Sequence, residues 1–277
     1  DMVRSIVLSS NVYYYSLANE MGVDAIHDFM KPLGFGQITG IDLPGEVRGI
    51  LPSTEWKRNY YKKPEQKKWF GGETISLGIG QGYNTFTMLQ LASATATLAS
   101  GGMQFKPHVV TATQDALTHV PAQVNSPEPL NLGFKPEHMS VVRSGLVGVV
   151  TSGTSARVFA GAGYTSAGKT GTAQAVTIGQ KDKYNAANLS EYQRDHALYM
   201  AYAPAEAPKI AVAVVVENAG FGAASAAPIA RRVFDYWLLG QYPSEEDMAA
   251  TQKGQTASPI GKPRTKQDVP LEARRLN

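Results

Sequence analysis

The stretch that most constrains this chain is residues 163–174, GYTSAGKTGTAQ, where one lysine, Lys169, lies among glycine and hydroxyl residues. A cation, two hydroxyls and unhindered backbone N–H groups this close together form a receptor for an anion, either phosphate or carboxylate. Two architectures use such a run. Residues 163–170, from Gly163 through Thr170, spell GxxxxGKT, a phosphate loop, which must follow a buried strand and open a helix whose N-terminal N–H groups hold the phosphates. Lys169, Thr170 and Gly171 spell KTG, which is used on a strand instead. The flanks decide between them. Residues 156–162 are short, small and glycine-broken, and residues 171–179 are β-branched, brief and closed by Gly179. No amphipathic helix stands where a phosphate loop requires one. The strand is the reading adopted, and a nucleotide-binding protein using Gly163 through Thr170 is the alternative.

Composition narrows the classes further. The 277 residues fit one large domain or two small ones, and 43% hydrophobic content is enough for a sizeable core. A net charge of +3 implies no general affinity for polyanions, so no nucleic-acid partner is expected. Without cysteine the chain has no disulfide, no thiolate metal site and no cysteine nucleophile. Five scattered histidines lack metal-ligand spacing, so neither a metal nor another cofactor is expected. No apolar run has the roughly 18 residues that a membrane span needs. The chain opens on Asp1 with what looks like the tail of a helix, as expected of a fragment that starts inside a domain.

In order along the chain, Ser9-Ser10-Asn11 precedes a helix over residues 12–21 and by itself reads as an ordinary N-cap cluster. A second helix covers residues 23–30, and residues 34–45 are turn-rich. Residues 56–69 mix six basic residues with Tyr60, Tyr61 and Trp69 and read as a solvated loop. A helix carrying Met88, Leu91, Ala92, Thr95, Leu98 and Ala99 on one face ends at Gly101-Gly102. A strand and a long loop follow, then a helix from Pro136. Residues 179–194 form a polar excursion. Strands over 170–176, 197–203 and 209–216 and a helix over about 225–239 complete the core. On the last strand Ala211 and Ala213 form a small face for that helix, which is expected to bury Ile229, Val233, Tyr236 and Trp237 and to turn Arg231, Arg232 and Asp235 to water. Residues 241–277 read as a disordered polar tail.

Taken together, several motifs change the reading of Ser9-Ser10-Asn11. An SxN element, Ser9 and Asn11, precedes KTG by about 160 residues. Thr39-Gly40-Ile41-Asp42-Leu43-Pro44-Gly45, Gly78-Ile79-Gly80-Gln81-Gly82, Thr87 with Gln90, Lys169-Thr170-Gly171-Thr172-Ala173-Gln174 and the stretch between Asp195 and Pro204 accompany the pair. This set resembles class B penicillin-binding proteins over residues 1–240. The runs 69–83 and 184–196 are most similar to the elongation-type penicillin-binding protein 2.

The resemblance implies an α+β fold of the penicillin-binding/β-lactamase-like transpeptidase kind, an antiparallel sheet packed with helices. It implies a peptidoglycan D,D-transpeptidase that works through a serine acyl-enzyme and is a target of β-lactams. The setting would be the periplasmic face of a bacterial inner membrane, with elongation-machinery membrane proteins as partners. Ser9 and Lys169 would relay protons, and Lys169 would add positive potential. Asn11 would donate to the side-chain amide of the acyl donor. The Thr170 and Thr172 hydroxyls, beside Gly171, would bind the terminal carboxylate of D-Ala-D-Ala or of a β-lactam, and the Thr172 N–H would form half of an oxyanion hole. One departure stands out. The family's SxxK nucleophile motif should precede SxN, yet the sole SxxK here runs from Ser166 to Lys169, where the lysine already belongs to KTG. The family sheet has five strands and three are expected here, so residues 1–277 alone are expected neither to acylate nor to fold cooperatively.

Overall fold

The computed structural model describes residues 1–175, 189–255 and 257–269. The chain enters on helix α1 (Met2–Val7), capped by the Asp1 carboxylate, which accepts from Arg4 N at 2.7 Å. Helices α2 (Asn11–Met21), α3 (Val23–Met30), α4 (Thr54–Tyr60), α5 (Pro64–Lys67), α6 (Gly71–Leu77) and α7 (Met88–Ala99) follow. Short strands β1 (Met103–Gln104) and β4 (Leu130–Asn131) pair, as do β2 (Ala112–Gln114) and β3 (Pro121–Gln123). After α8 (Pro136–Thr151) and α9 (Ala156–Phe159) comes a sheet of β5 (Ala167–Ala173), β6 (His196–Ala203) and β7 (Ile210–Val216). Helices α10 (Gly222–Leu239) and α11 (Glu245–Gln252) close the described chain. Two compact units result, one of Asp1–Ser10 with Ser140–Asn277 and one of Asn11–Met139.

In the first unit the antiparallel order is β5-β6-β7, with Lys169 opposite Met200 and Tyr199 opposite Val214. Alternation along β6 turns Ala197, Tyr199, Ala201 and Ala203 to one face, which carries the core with Ile210, Val212, Val214 and Val216 of β7. Helix α10 meets that face with Ala226, Ala227, Ala230 and Phe234, all fully buried. This inverts the sequence reading of the helix. The small residues that permit close packing are on α10, while β7 presents its valines. Ile229, Val233, Tyr236 and Trp237 are exposed, and Arg231 and Asp235 are buried. Burial of these charges is offset by pairing. Arg231 Nε donates to Asp235 Oδ1 at 2.8 Å, the Tyr164 hydroxyl donates to the same oxygen at 2.8 Å, and Arg231 Nη1 donates to Val158 O at 3.0 Å.

At Gly222 the backbone of α10 lies directly against the sheet. A Cβ there would lie 2.1 Å from Leu198 O and 2.5 Å from Gly171 O, both backbone atoms that cannot step aside alone. Gly222→Ala is therefore expected to lower the unfolding free energy by about 1–3 kcal/mol through overpacking. Urea denaturation measures this, and an unchanged midpoint would show that α10 can lift freely.

The segment read as a disordered tail departs from that expectation through residue 269. Ser244 Oγ caps α11, accepting from Asp247 N at 2.9 Å, and Asp247, 0% exposed, takes a two-pronged bond from Arg232 at 2.8 and 2.6 Å. Tyr242 and Arg264 form a bridge. Charges that composition counts as solvating are here partners of α10. Residues 256 and 270–277 lie outside the described residues.

In the second unit, Leu33, Phe35, Leu51 and Ala94 form the centre of a core with Phe86, Leu91, Leu132 and Phe134 around it. Several of the quoted motifs have structural duties here. Thr87 and Gln90 are the two halves of the α7 capping box, and buried Gln90 also donates to Arg48 O at 2.7 Å. The Asp42 carboxylate accepts from Val109 N and Val110 N at 2.8 and 2.9 Å. Residues 56–69, expected as a solvated loop, hold helices α4 and α5 and a lysine, Lys57, that is 3% exposed. Lys57 pairs with Glu73 and sits 5.2–5.6 Å from the ring centres of Trp69, Phe70 and Tyr83.

Candidate active site

Ser9 is placed by α1 and its contact with α8. Ideal Cβ atoms on Gly145 and Gly148 would fall 2.6 Å from Ile6 Cδ1 and 2.5 Å from Val7 Cγ2, so the absence of side chains there lets α1 lie directly on α8. The turn after α1 is fixed by Ser9 N to Ile6 O at 3.1 Å and Ser10 N to Ser5 O at 2.9 Å. Ser9 itself adopts φ 53°, in the left-handed region that a non-glycine residue visits at a cost.

Lys169 comes from the facing strand β5. Its ammonium donates to Ser9 Oγ at 2.7 Å and to Thr170 O at 2.9 Å. The two residues, 160 positions apart, thus stand one hydrogen bond from each other, the separation that the SxN and KTG pairing predicts. Lys169 is half-buried, and burial lowers its pKa from the usual 10.5 to about 8. Near neutral pH it is mostly an ammonium, but one that gives up its proton far more readily than a surface lysine.

Strand alternation sets Thr170 and Thr172 on the face opposite to Lys169 and Gly171. The Thr170 hydroxyl shares a hydrogen bond of 2.8 Å with Thr154 Oγ1. Thr154 does not stand out in the sequence. Its signal, a hydroxyl in a glycine and serine run, is too common to stand out. Asn11 is exposed, begins α2 two residues after Ser9 and belongs to the other unit.

Two readings of residues 163–170 are excluded by this geometry. A phosphate loop requires a helix after Thr170, and residues Ala167–Ala173 are strand. The Ser166 hydroxyl is buried and, among the described residues, has no hydrogen-bond partner, while the Lys169 ammonium is turned to Ser9, so the geometry does not pair Ser166 with Lys169 as a nucleophile. Among the described residues no three His, Cys, Asp or Glu side chains gather as a metal site, and no helix is long and apolar enough to cross a membrane.

A hydroxyl–ammonium pair between a helix-borne turn and a KTG strand, on an antiparallel sheet backed by a helix, is the arrangement expected of the class that the motifs resemble. The chain belongs to the penicillin binding protein transpeptidase domain family, which matches residues 1–235. It is 45% identical over 240 residues to the peptidoglycan D,D-transpeptidase MrdA of Acinetobacter baumannii, covering 86% of this chain and 34% of that protein. It is 36% identical over 242 residues to MrdA of Escherichia coli K12, covering 87% of this chain and 37% of that protein. Among solved structures, Pseudomonas aeruginosa PBP2 in complex with WCK 5153 aligns with a TM-score of 0.68 at 36% identity, over 89% of this chain and 48% of that one. Helicobacter pylori PBP2, solved in complex with MreC, aligns with a TM-score of 0.68 at 28% identity, over 86% of this chain and 40% of that one. The chain thus spans little more than a third of the length of these curated relatives.

Proposed function

We propose that this chain is part of a peptidoglycan D,D-transpeptidase, a serine acyl-transferase that cross-links stem peptides ending in D-Ala-D-Ala and is acylated by β-lactams. The observation that carries the reading is the 2.7 Å contact between Lys169 Nζ and Ser9 Oγ. In this scheme Ser9 passes a proton between Lys169 and the nucleophile, Asn11 holds the acyl donor's amide, and Lys169 draws in the carboxylate. Thr170, Gly171 and Thr172 receive that carboxylate along the strand, with the Thr172 N–H as an oxyanion donor. The strand edge pairs with the extended peptide. The same reading sets the whole protein at the periplasmic face of the inner membrane with elongation-machinery membrane proteins as partners, and the Helicobacter pylori PBP2 solved in complex with MreC supports the partnership.

The test is covalent labelling of the complete polypeptide by a fluorescent penicillin, compared with residues 1–277 alone, which are expected to stay unlabelled. Failure of the complete protein to label would overturn the reading. Thr172→Val in that protein is expected to slow acylation about tenfold or more, since it deletes a hydrogen bond to a charged group worth about 1.5–3 kcal/mol at nearly constant volume. An unchanged rate would remove Thr172 from the carboxylate site.

The acylation rate is also expected to fall as pH rises through about 8, the pKa to which burial brings Lys169. Above that value the lysine is neutral and no longer attracts a carboxylate, whereas a lysine of ordinary pKa would hold the rate level to about 10. A profile flat to pH 10 would detach the Lys169 charge from substrate capture.

A further inference from the structure

Residues 54–70 of the second unit carry a charge the rest of the chain does not have. Lys57, Arg58, Lys62, Lys63, Lys67 and Lys68 against Glu55 and Glu65 leave a net of +4, more than the +3 of all 277 residues. Lys57 is consumed internally by Glu73. The other five basic side chains are exposed and, among the described residues, form no ion pair or hydrogen bond. They are threaded through a chain of aromatic rings. Trp56 and Tyr60 stack at 5.1 Å and 24°, Tyr60 meets Tyr61 at 5.1 Å, and Trp56 meets Tyr83 at 5.2 Å. Tyr60 is 61% exposed and Phe70 51%, with the Lys68 ammonium 5.7 Å from the Phe70 ring centre.

We propose that this aromatic and basic face is a docking surface for an acidic polysaccharide strand, separate from the Ser9 and Lys169 site. The side-chain chemistry selects this partner. Exposed aromatic faces stack on the C–H faces of sugar rings, tyrosine hydroxyls meet sugar hydroxyls, and lysines meet carboxylates along the strand. Between Glu55 and Phe70 there is no Leu, Ile, Val, Met or Ala, so the face lacks the aliphatic depth that insertion into a lipid surface uses. It is also built in advance. The pair of buried Lys57 with half-buried Glu73, the carboxylate accepting from Phe70 N at 2.8 Å and from the Tyr83 hydroxyl at 2.8 Å, fixes Trp69, Phe70 and Tyr83 around one ammonium. Little ordering is then left to oppose binding. The inference goes beyond the transpeptidase reading, since it uses none of that site's residues. If that reading holds, it makes the wall's own glycan the natural occupant.

The experiment is co-sedimentation of the complete polypeptide with peptidoglycan stripped of protein, with sodium alginate as a soluble acidic glycan in competition. Runs with and without prior penicillin treatment separate this surface from the acylation site. Binding is expected to survive penicillin, to weaken with salt, and to fall about tenfold or more when Lys62, Lys63 and Lys67 are all changed to Glu. Tyr60→Ala is expected to weaken it about fivefold or more without changing the salt dependence, as loss of one stacking ring should. Unfolding temperatures of these surface variants, compared with the parent, confirm that the fold is intact. Equal binding by the triple variant, loss of binding after penicillin, no binding by the parent, or a preference for duplex DNA or anionic vesicles over both glycans would each overturn the proposal. Failure of penicillin labelling with glycan binding intact would overturn the transpeptidase reading alone.

Discussion

Lys169→Met in the complete polypeptide is expected to lower the rate of penicillin acylation by about a hundredfold to a thousandfold, the loss seen when one preorganised electrostatic group is deleted from an acyl-transfer site. Methionine keeps the length and much of the volume of the lysine stem, so β5 has no packing reason to move. What disappears is the ammonium that donates to Ser9 Oγ at 2.7 Å and to Thr170 O at 2.9 Å. Ser9 loses the partner that orients its hydroxyl, and the proposed carboxylate site loses its charge. Stopped-flow labelling reads the rate, and an unaltered unfolding midpoint confirms that the site and not the fold was changed. A loss below about threefold, near 0.6 kcal/mol, would mean that Lys169 is a structural lysine.

The largest effect on stability is expected far from that strand. Lys57→Met should lower the unfolding free energy of the second unit by about 2–4 kcal/mol, somewhat under the range for breaking a fully buried ion pair because water still reaches part of Glu73. Burial by itself would raise the Glu73 carboxyl, but hydrogen bonds from Lys57, Phe70 N and the Tyr83 hydroxyl hold it below its ordinary value. Removing the ammonium leaves that carboxylate half-enclosed among aromatic rings. The sign of the pH dependence follows. Because the folded carboxyl is depressed, its stabilisation is present above its unfolded value near 4.5 and is lost as pH falls through the lower folded value. Lys57→Met should flatten this acid limb. The double variant Lys57→Met/Glu73→Gln should recover much of the loss, since no unpaired charge remains. Thermal unfolding of the four proteins in a cycle gives the coupling, and additive effects would show that the two side chains do not depend on one another.

These two lysines also show what the sequence could reveal. Lys169 was legible because its chemistry is local. Three consecutive residues define the strand motif, the flanks deny a helix, and an SxN element 160 positions upstream needs only the right topology to meet it. The strand and helix order of the sheet was legible for the same reason, since period-two runs such as the one along β7 and the helix breakers report local geometry. Lys57 was not legible. It stands in a run of charged neighbours, and the rings that enclose it come from residues 69, 70 and 83, so only the tertiary fold tells it from Lys62 or Lys63. The same limit explains α10. Its bulky apolar stripe looked like the inner face, but a helix so close to the sheet that a β-carbon at Gly222 would fall 2.1 Å from Leu198 O must turn its alanines inward. Buried pairs such as Arg231 with Asp235 and Arg232 with Asp247 look like water-facing charges until the partner's position is known.

The φ of 53° at Ser9 sets two kinds of selection against each other. In that backbone region glycine is at ease and a side chain costs about 1 kcal/mol, whereas a hydrogen bond to a charged group is worth about 1.5–3 kcal/mol. Glycine at position 9 would relax the turn but leave the half-buried Lys169 ammonium short of a partner. A library sorted for melting temperature alone would therefore weigh a relaxed backbone against a lost bond, and any variant of this turn that keeps the hydroxyl must also keep the strain.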